Sequence, residues 1–188
     1  TKVLMSDIDK IKRTVEDIDH EAFEAAVNSI VGAKNIYVIG IGSASVLASA
    51  LNINLRMIFD NVRFIVASSA TEIYEQIISI GEGDVMVAIS FPRYSKKVVS
   101  AVNLAKKSGA DVIALTDSAA SPIASLADQN LFARSDMASF VDSLVAPLSI
   151  INALVVAVAR KKQDELTVRL HQLESIWDEY DVYDKYQG

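Results

Sequence analysis

Five short apolar runs recur along the chain, at 35–40, 62–66, 85–89, 112–115 and 130–133. They are continuous rather than alternating, so each predicts a strand buried on both faces. Between one run and the next stands a stretch with helical character, most of them carrying apolar residues every three to four positions. Strands separated in this way pair in parallel, through crossovers that are right-handed. The expected fold is a doubly wound, three-layer α/β sandwich around a parallel sheet. No internal repeat or low-complexity segment interrupts the pattern.

Helices are predicted over 7–18, 20–31, 45–59, 70–80 and 95–108. A short one is expected to start at Ser121-Pro122, and two long ones, 137–160 and 163–180, close the chain. The first carries Ile8, Ile11, Val15 and Ile18 on one stripe. Asp19 can cap the second, which Gly32 ends. Ser69 with Glu72 forms a capping box for the fourth. The apolar stretch 144–159 is shorter than a membrane span and is broken by Pro147, Ser149 and Asn152, so it predicts a buried or interface helix.

Composition removes several function classes. With no cysteine, thiol catalysis, disulfides and thiolate-bound zinc are excluded, and a reducing, cytoplasmic setting fits. His20 and His171 are isolated and form no metal motif. A net charge of −6 does not suit a domain that binds DNA by itself. The charged, amphipathic start lacks the form of a signal peptide. The first residue is threonine, so a piece of a longer protein is expected.

In doubly wound sheets, ligands sit beyond the carboxyl ends of the strands, where strand order reverses. For an order 2-1-3-4-5, that point lies between the first and third strands. Two loops would meet there, Gly40-Ile41-Gly42-Ser43-Ala44-Ser45 and Ser90-Phe91-Pro92-Arg93-Tyr94-Ser95. Each ends in a helix start, where unpaired N–H groups favour an anion. Both are rich in hydroxyls, neither holds a carboxylate, and Arg93 can grip phosphate with two parallel hydrogen bonds. The candidate ligand-binding residues are therefore Ser43, Ser45, Ser90, Arg93 and Ser95. Plainer readings stand beside this one. Ser45 and Ser95 can be simple helix caps, Gly40 and Gly42 can serve only a tight turn, and Arg93 can be a solvated surface residue. A dinucleotide is not expected: the third glycine of its fingerprint falls near Ser45, and no acidic residue closes the second strand. No cofactor is predicted.

The stretches "IYVIGIGSASVLASAL", "VMVAISFPRYSKKVVSAVNLAKKSGADVIALTD" and "SPIASLAD" together resemble a sugar isomerase (SIS) domain. With the lead-in "DHEAFEAAVNSIVGAKNIYVIG", they resemble the C-terminal effector domain of RpiR-type bacterial transcription regulators. The likeness covers roughly 19–165. It implies the sheet order 2-1-3-4-5, binding of a phosphorylated sugar or sugar derivative, and dimerisation, with 140–158 a candidate for part of the interface. It also implies a helix-turn-helix DNA-binding domain upstream. Residues 1–18 would then be a linker helix and 19–188 the sugar-binding domain. In the family the third-strand motif is commonly Ser-x-Ser-Gly-x-Thr. Ser90 matches its first serine and Ser95 its threonine, while Pro92 and Arg93 replace the middle serine and the glycine. The usual first-strand serine falls on Ala44, flanked by Ser43 and Ser45.

An aldose–ketose phosphate isomerase, the alternative reading, needs an acid–base pair. The candidates are Glu72, where several family isomerases place a carboxylate, and Glu75, where some relatives carry histidine. His171 is most simply an exposed helical residue paired with Glu174. Asp117 can meet a sugar hydroxyl or start an Asx-turn. Ser139 and Asp142 can face the crevice.

Overall fold

In the computed structural model, which describes residues 1–136 and 142–183, five parallel strands form one sheet in the order β2-β1-β3-β4-β5. The strands are β1 (Ile36–Gly40), β2 (Val62–Ile65), β3 (Val85–Ile89), β4 (Asp111–Thr116) and β5 (Gln129–Phe132). Every residue of the central pair β1 and β3 is buried, which is why their sequences are unbroken apolar runs. The edge strand β2 is half-exposed and carries Arg63.

Helices α1 (Lys2–Glu16), α2 (His20–Gly32), α3 (Ala44–Ile58), α6 (Val145–Lys161) and α7 (Gln163–Glu179) accompany α4 (Ala70–Ile77) and α5 (Lys96–Lys107). The pleat sends alternate strand residues into two cores. Val38, Val87 and Ile89 join Leu47, Leu51, Ile151 and Leu154 of α3 and α6 on one face. Ile39, Met86 and Ala88 join Ile73, Ile77, Val98 and Val102 of α4 and α5 on the other. Asp19 caps α2 as expected, accepting from the N–H groups of Glu21 and Ala22 at 3.0 Å each.

Three expectations change. The segment after β4 is not a helix but a series of turns closed by bonds to the third residue back, Ser121 to Ser118, Ala124 to Ser121 and Leu126 to Ile123. The connection reaches β5 before an α-helical turn is completed. The long helix expected over 137–160 begins at Val145 among the described residues. Pro147 marks that start, because a missing N–H costs nothing within the first turn. Its predicted beginning, 137–141, lies outside the described residues.

The third change concerns α1. Expected over 7–18, it runs over Lys2–Glu16, and it buries Lys10 and Thr14 while leaving Leu4, Ile8 and Val15 exposed at 68%, 58% and 64%. It lies along α6, and its polar contacts are to the segments just before α6 and just after β5. Ser143 Oγ donates to Asp7 Oδ1 at 2.7 Å, and the Arg134 N–H donates to Thr14 Oγ1 at 3.0 Å.

Candidate functional site

The register that pairs Gly40 with Ile89 brings the carboxyl ends of β1 and β3 side by side, so the two predicted loops face each other. A cleft of about 270 Å³ lies between them. Ser43, Ser90, Arg93 and Ser95 line it, over the buried ring of Phe91. Asp142, from the segment that enters α6, completes the wall.

The β1 loop is shaped by its glycines. A Cβ on Gly40 would lie 2.5 Å from the Ala44 carbonyl oxygen and 3.0 Å from Ala48 Cβ, so the strand end and α3 meet only because the side chain is absent. Gly42 holds a φ of 68°, in the left-handed region. The turn reading therefore holds for Gly42, while Gly40 serves the close packing of β1 on α3, alongside any ligand role. Ser43 is the N-cap of α3 but makes no capping bond with its side chain. Its Oγ donates to Asp142 Oδ2 at 3.2 Å instead.

Ser45 is placed differently from the other four candidates. Its Oγ donates to the Gly42 carbonyl at 2.7 Å. It borders a second, larger cleft of about 400 Å³ on the far side of the same loop, between Ser49, Phe64, Val66 and Ile73. The helical rotation of two positions from Ser43 separates the two hydroxyls.

The β3 loop is built otherwise. Ser90 is 3% exposed and fixed through its backbone, donating to the Leu115 carbonyl at 3.1 Å and accepting from Thr116 Oγ1 at 2.6 Å. Arg93 holds a φ of 62°, a left-handed conformation that costs a non-glycine residue about 1–2 kcal/mol. This is the position that the resemblance aligns with glycine. Arg93 keeps the glycine's backbone while adding a guanidinium, which makes no hydrogen bond or ion pair among the described residues. Ser95 is the N-cap of α5, and its side chain caps nothing.

Electrostatics distinguish the two helix starts from ordinary ones. Neither α3 nor α5 has an acidic residue in its first turn, and α5 opens with Lys96 and Lys97. Cations at a helix N-terminus oppose the macrodipole. Lys96 and Lys97 turn to a separate hollow beside Ala70, Ile73 and Tyr74, where Lys97 Nζ donates to the Ser68 carbonyl at 2.8 Å. Arg93 is the cation that lines the cleft itself, beside the start of α5, an arrangement that an anion would stabilise.

The remaining candidates lie outside this cleft. Glu72 accepts from the Ser68 N–H at 2.7 Å, and its own N–H donates to Ser69 Oγ at 3.2 Å. This is the expected capping box, with the return bond displaced by one residue. The Ser68 N–H holds the Glu72 carboxyl below its ordinary value, so it stays ionised. Glu75 and His171 are exposed on α4 and α7. Asp117 accepts from Tyr94 Oη at 2.8 Å and ties the β3 loop to β4. Burial, reinforced by Asp117, pushes the Tyr94 phenol upward. Ser139 lies outside the described residues. Among the described residues there is no group of three side chains able to hold a metal, and no helix long and apolar enough to cross a membrane.

The family model for the SIS domain matches residues 29–157, more than half of the chain. The chain belongs to the SIS domain family. This SIS chain is 28% identical over 170 residues to an uncharacterized HTH-type transcriptional regulator of Caldanaerobacter subterraneus, matching 88% of the chain and 60% of the regulator. It therefore spans less than two thirds of that relative's length. The sugar isomerase domain of the RpiR transcription factor from Sphaerobacter thermophilus superposes with a TM-score of 0.88 at 26% identity, covering 93% of this chain and 97% of that one. The Vibrio vulnificus NanR protein complexed with ManNAc-6P superposes with a TM-score of 0.81 at 22% identity, covering 94% and 67%. That second likeness supports the SIS fold alone.

Proposed function

We propose that this chain is the phosphosugar-sensing effector domain of a bacterial transcription regulator of the RpiR type. The observation that carries the reading is the β3 loop: an arginine without a partner among the described residues and a serine whose side chain makes no capping bond, both lining the cleft at the start of a helix with no acid in its first turn. The phosphate would rest on Ser90, Arg93 and Ser95, with Ser43 of the β1 loop opposite. Ser45 would support the loop from its other side. The HTH-type regulator relative favours the regulatory role, and the NanR complex with ManNAc-6P favours the ligand class.

On this reading residues 1–18 are a linker helix, 19–188 form the sugar-binding domain, and DNA is contacted by a helix-turn-helix domain elsewhere in the full protein, in the cytoplasm. The partner in solution is a second copy. The exposed stripe of α1 and the exposed Leu148 and Val156 of the adjoining α6 supply an apolar surface suited to one. Light scattering after chromatography checks this, and Ile8→Glu should shift the dimer toward monomer.

The test of function is a thermal-shift screen of sugar phosphates against the same sugars without phosphate. Stabilisation by phosphorylated members alone is expected. No response to any of them at millimolar concentration would overturn the reading.

A further inference from the structure

One group in the cleft does not suit an anion. The Asp142 carboxylate lines it and takes the hydrogen bond of Ser43 Oγ at 3.2 Å. The next residue, Ser143, reaches in another direction and donates to Asp7 Oδ1 of α1 at 2.7 Å. Asp7 lies 3.6 Å from Lys10 Nζ, and the nearly buried Lys10 donates to Ser6 Oγ at 2.8 Å. Two adjacent residues thus join the cleft to the inner, polar face of α1. That helix has limited apolar anchoring of its own, since Val3, Leu4, Met5, Ile8 and Val15 are all exposed.

We propose that Asp142 holds the cleft in competition with an anion, and that its displacement is passed through Ser143 to α1. The inference rests on the anion-binding reading above and adds its regulation. A phosphate held by Ser90, Arg93 and Ser95 with Ser43 opposite would share the cleft with the Asp142 carboxylate, where like charges repel and a cleft screens them less than bulk water does. Ser43 Oγ has one proton to donate, to the carboxylate or to the ligand. Ligand-free and ligand-bound protein therefore favour different placements of 142–143. A difference of this kind is what lets binding shift a conformational equilibrium. Reciprocity requires that loosening α1 also tighten binding.

Asp142→Asn, Ser143→Ala and Ser43→Ala separate the steps. Two quantities are read in each: hydrogen exchange at residues 2–16, and the dissociation constants of inorganic phosphate and of a hexose 6-phosphate. Without ligand, Ser143→Ala and Ser43→Ala should raise exchange in α1 several-fold. Saturating sugar phosphate should do the same in the unaltered protein and add nothing in Ser143→Ala. Asp142→Asn should tighten phosphate binding about tenfold, as expected for removal of a nearby like charge. Weaker or unchanged binding in Asp142→Asn would show that the carboxylate does not compete. Ligand-free exchange in α1 indifferent to both serine variants would show that there is no relay. Should no phosphorylated compound bind either the unaltered protein or Asp142→Asn, the functional reading itself fails. The ligand-free exchange would still decide the relay.

Discussion

The loops after β1 and β3 occupy equivalent places in the sheet, yet they are made differently. The β1 loop is a matter of shape. Gly40 lets two backbones meet, Gly42 turns the chain, and the hydroxyls of Ser43 and Ser45 are engaged with Asp142 and the Gly42 carbonyl. The β3 loop is a matter of chemistry. Its arginine holds a strained backbone, its cap serine forms no cap, and lysines follow where acids would be favoured. Strain and unmet bonding potential kept together in one loop are what a binding site requires. The difference teaches that one wall positions the cleft and the other recognises what enters it.

The largest effect should come from the shaping wall. Gly40→Ala puts a Cβ 2.5 Å from a backbone oxygen that cannot step aside. Chemical denaturation should show a loss of roughly 3 kcal/mol or more, in the range of severe overpacking. A loss below about 1 kcal/mol would mean that the β1 loop is not built on that close approach.

Next is recognition. Arg93→Ala should weaken sugar-phosphate binding by about 1.5–3 kcal/mol in titration calorimetry, the range for a charged hydrogen bond. Arg93→Lys should restore only part, because the planar fork is lost. An unchanged dissociation constant in Arg93→Ala would make the two loops alike after all.

Arg93→Gly sharpens the comparison further. It removes the same cation but relieves the left-handed backbone, so it should bind as poorly as Arg93→Ala while gaining about 0.5–1 kcal/mol of stability over it. The smallest effect belongs to a control outside both loops. Glu72 titrates below its ordinary value of 4.5 in the folded chain. Its stabilising contribution is thus present above the unfolded value and fades as pH falls through the folded one. Glu72→Gln should flatten that part of the acid limb in a pH series of melting curves and leave sugar-phosphate binding untouched.

The strands were legible because burial on both faces leaves a simple mark, an unbroken apolar run such as 85–89. Their order was not; it came from the family resemblance, since no local pattern records which strand lies beside which. In the cleft, Ser90, Arg93 and Ser95 could be located from a strand end followed by a helix start. The opposite orientations of Ser43 and Ser45 depend on helical rotation about a boundary that sequence places only to within a residue or two. Asp142 could be named but not given a partner, because it meets Ser43 across 99 positions of chain. The stripe of α1 was visible, while the face it turns to its own domain was not. Periodicity shows that a helix has an apolar side without saying which molecule will cover it.

Ile41 and Gly42 line both clefts, so the partition between the two cavities is one turn of backbone thick. For anyone seeking compounds against this fold, that thinness defines an opportunity for linking. A neutral fragment in the larger, mostly apolar cavity and an anionic one in the smaller would lie back to back across a shared wall. Two such footholds, once joined, would gain from the proximity that separate fragments lack.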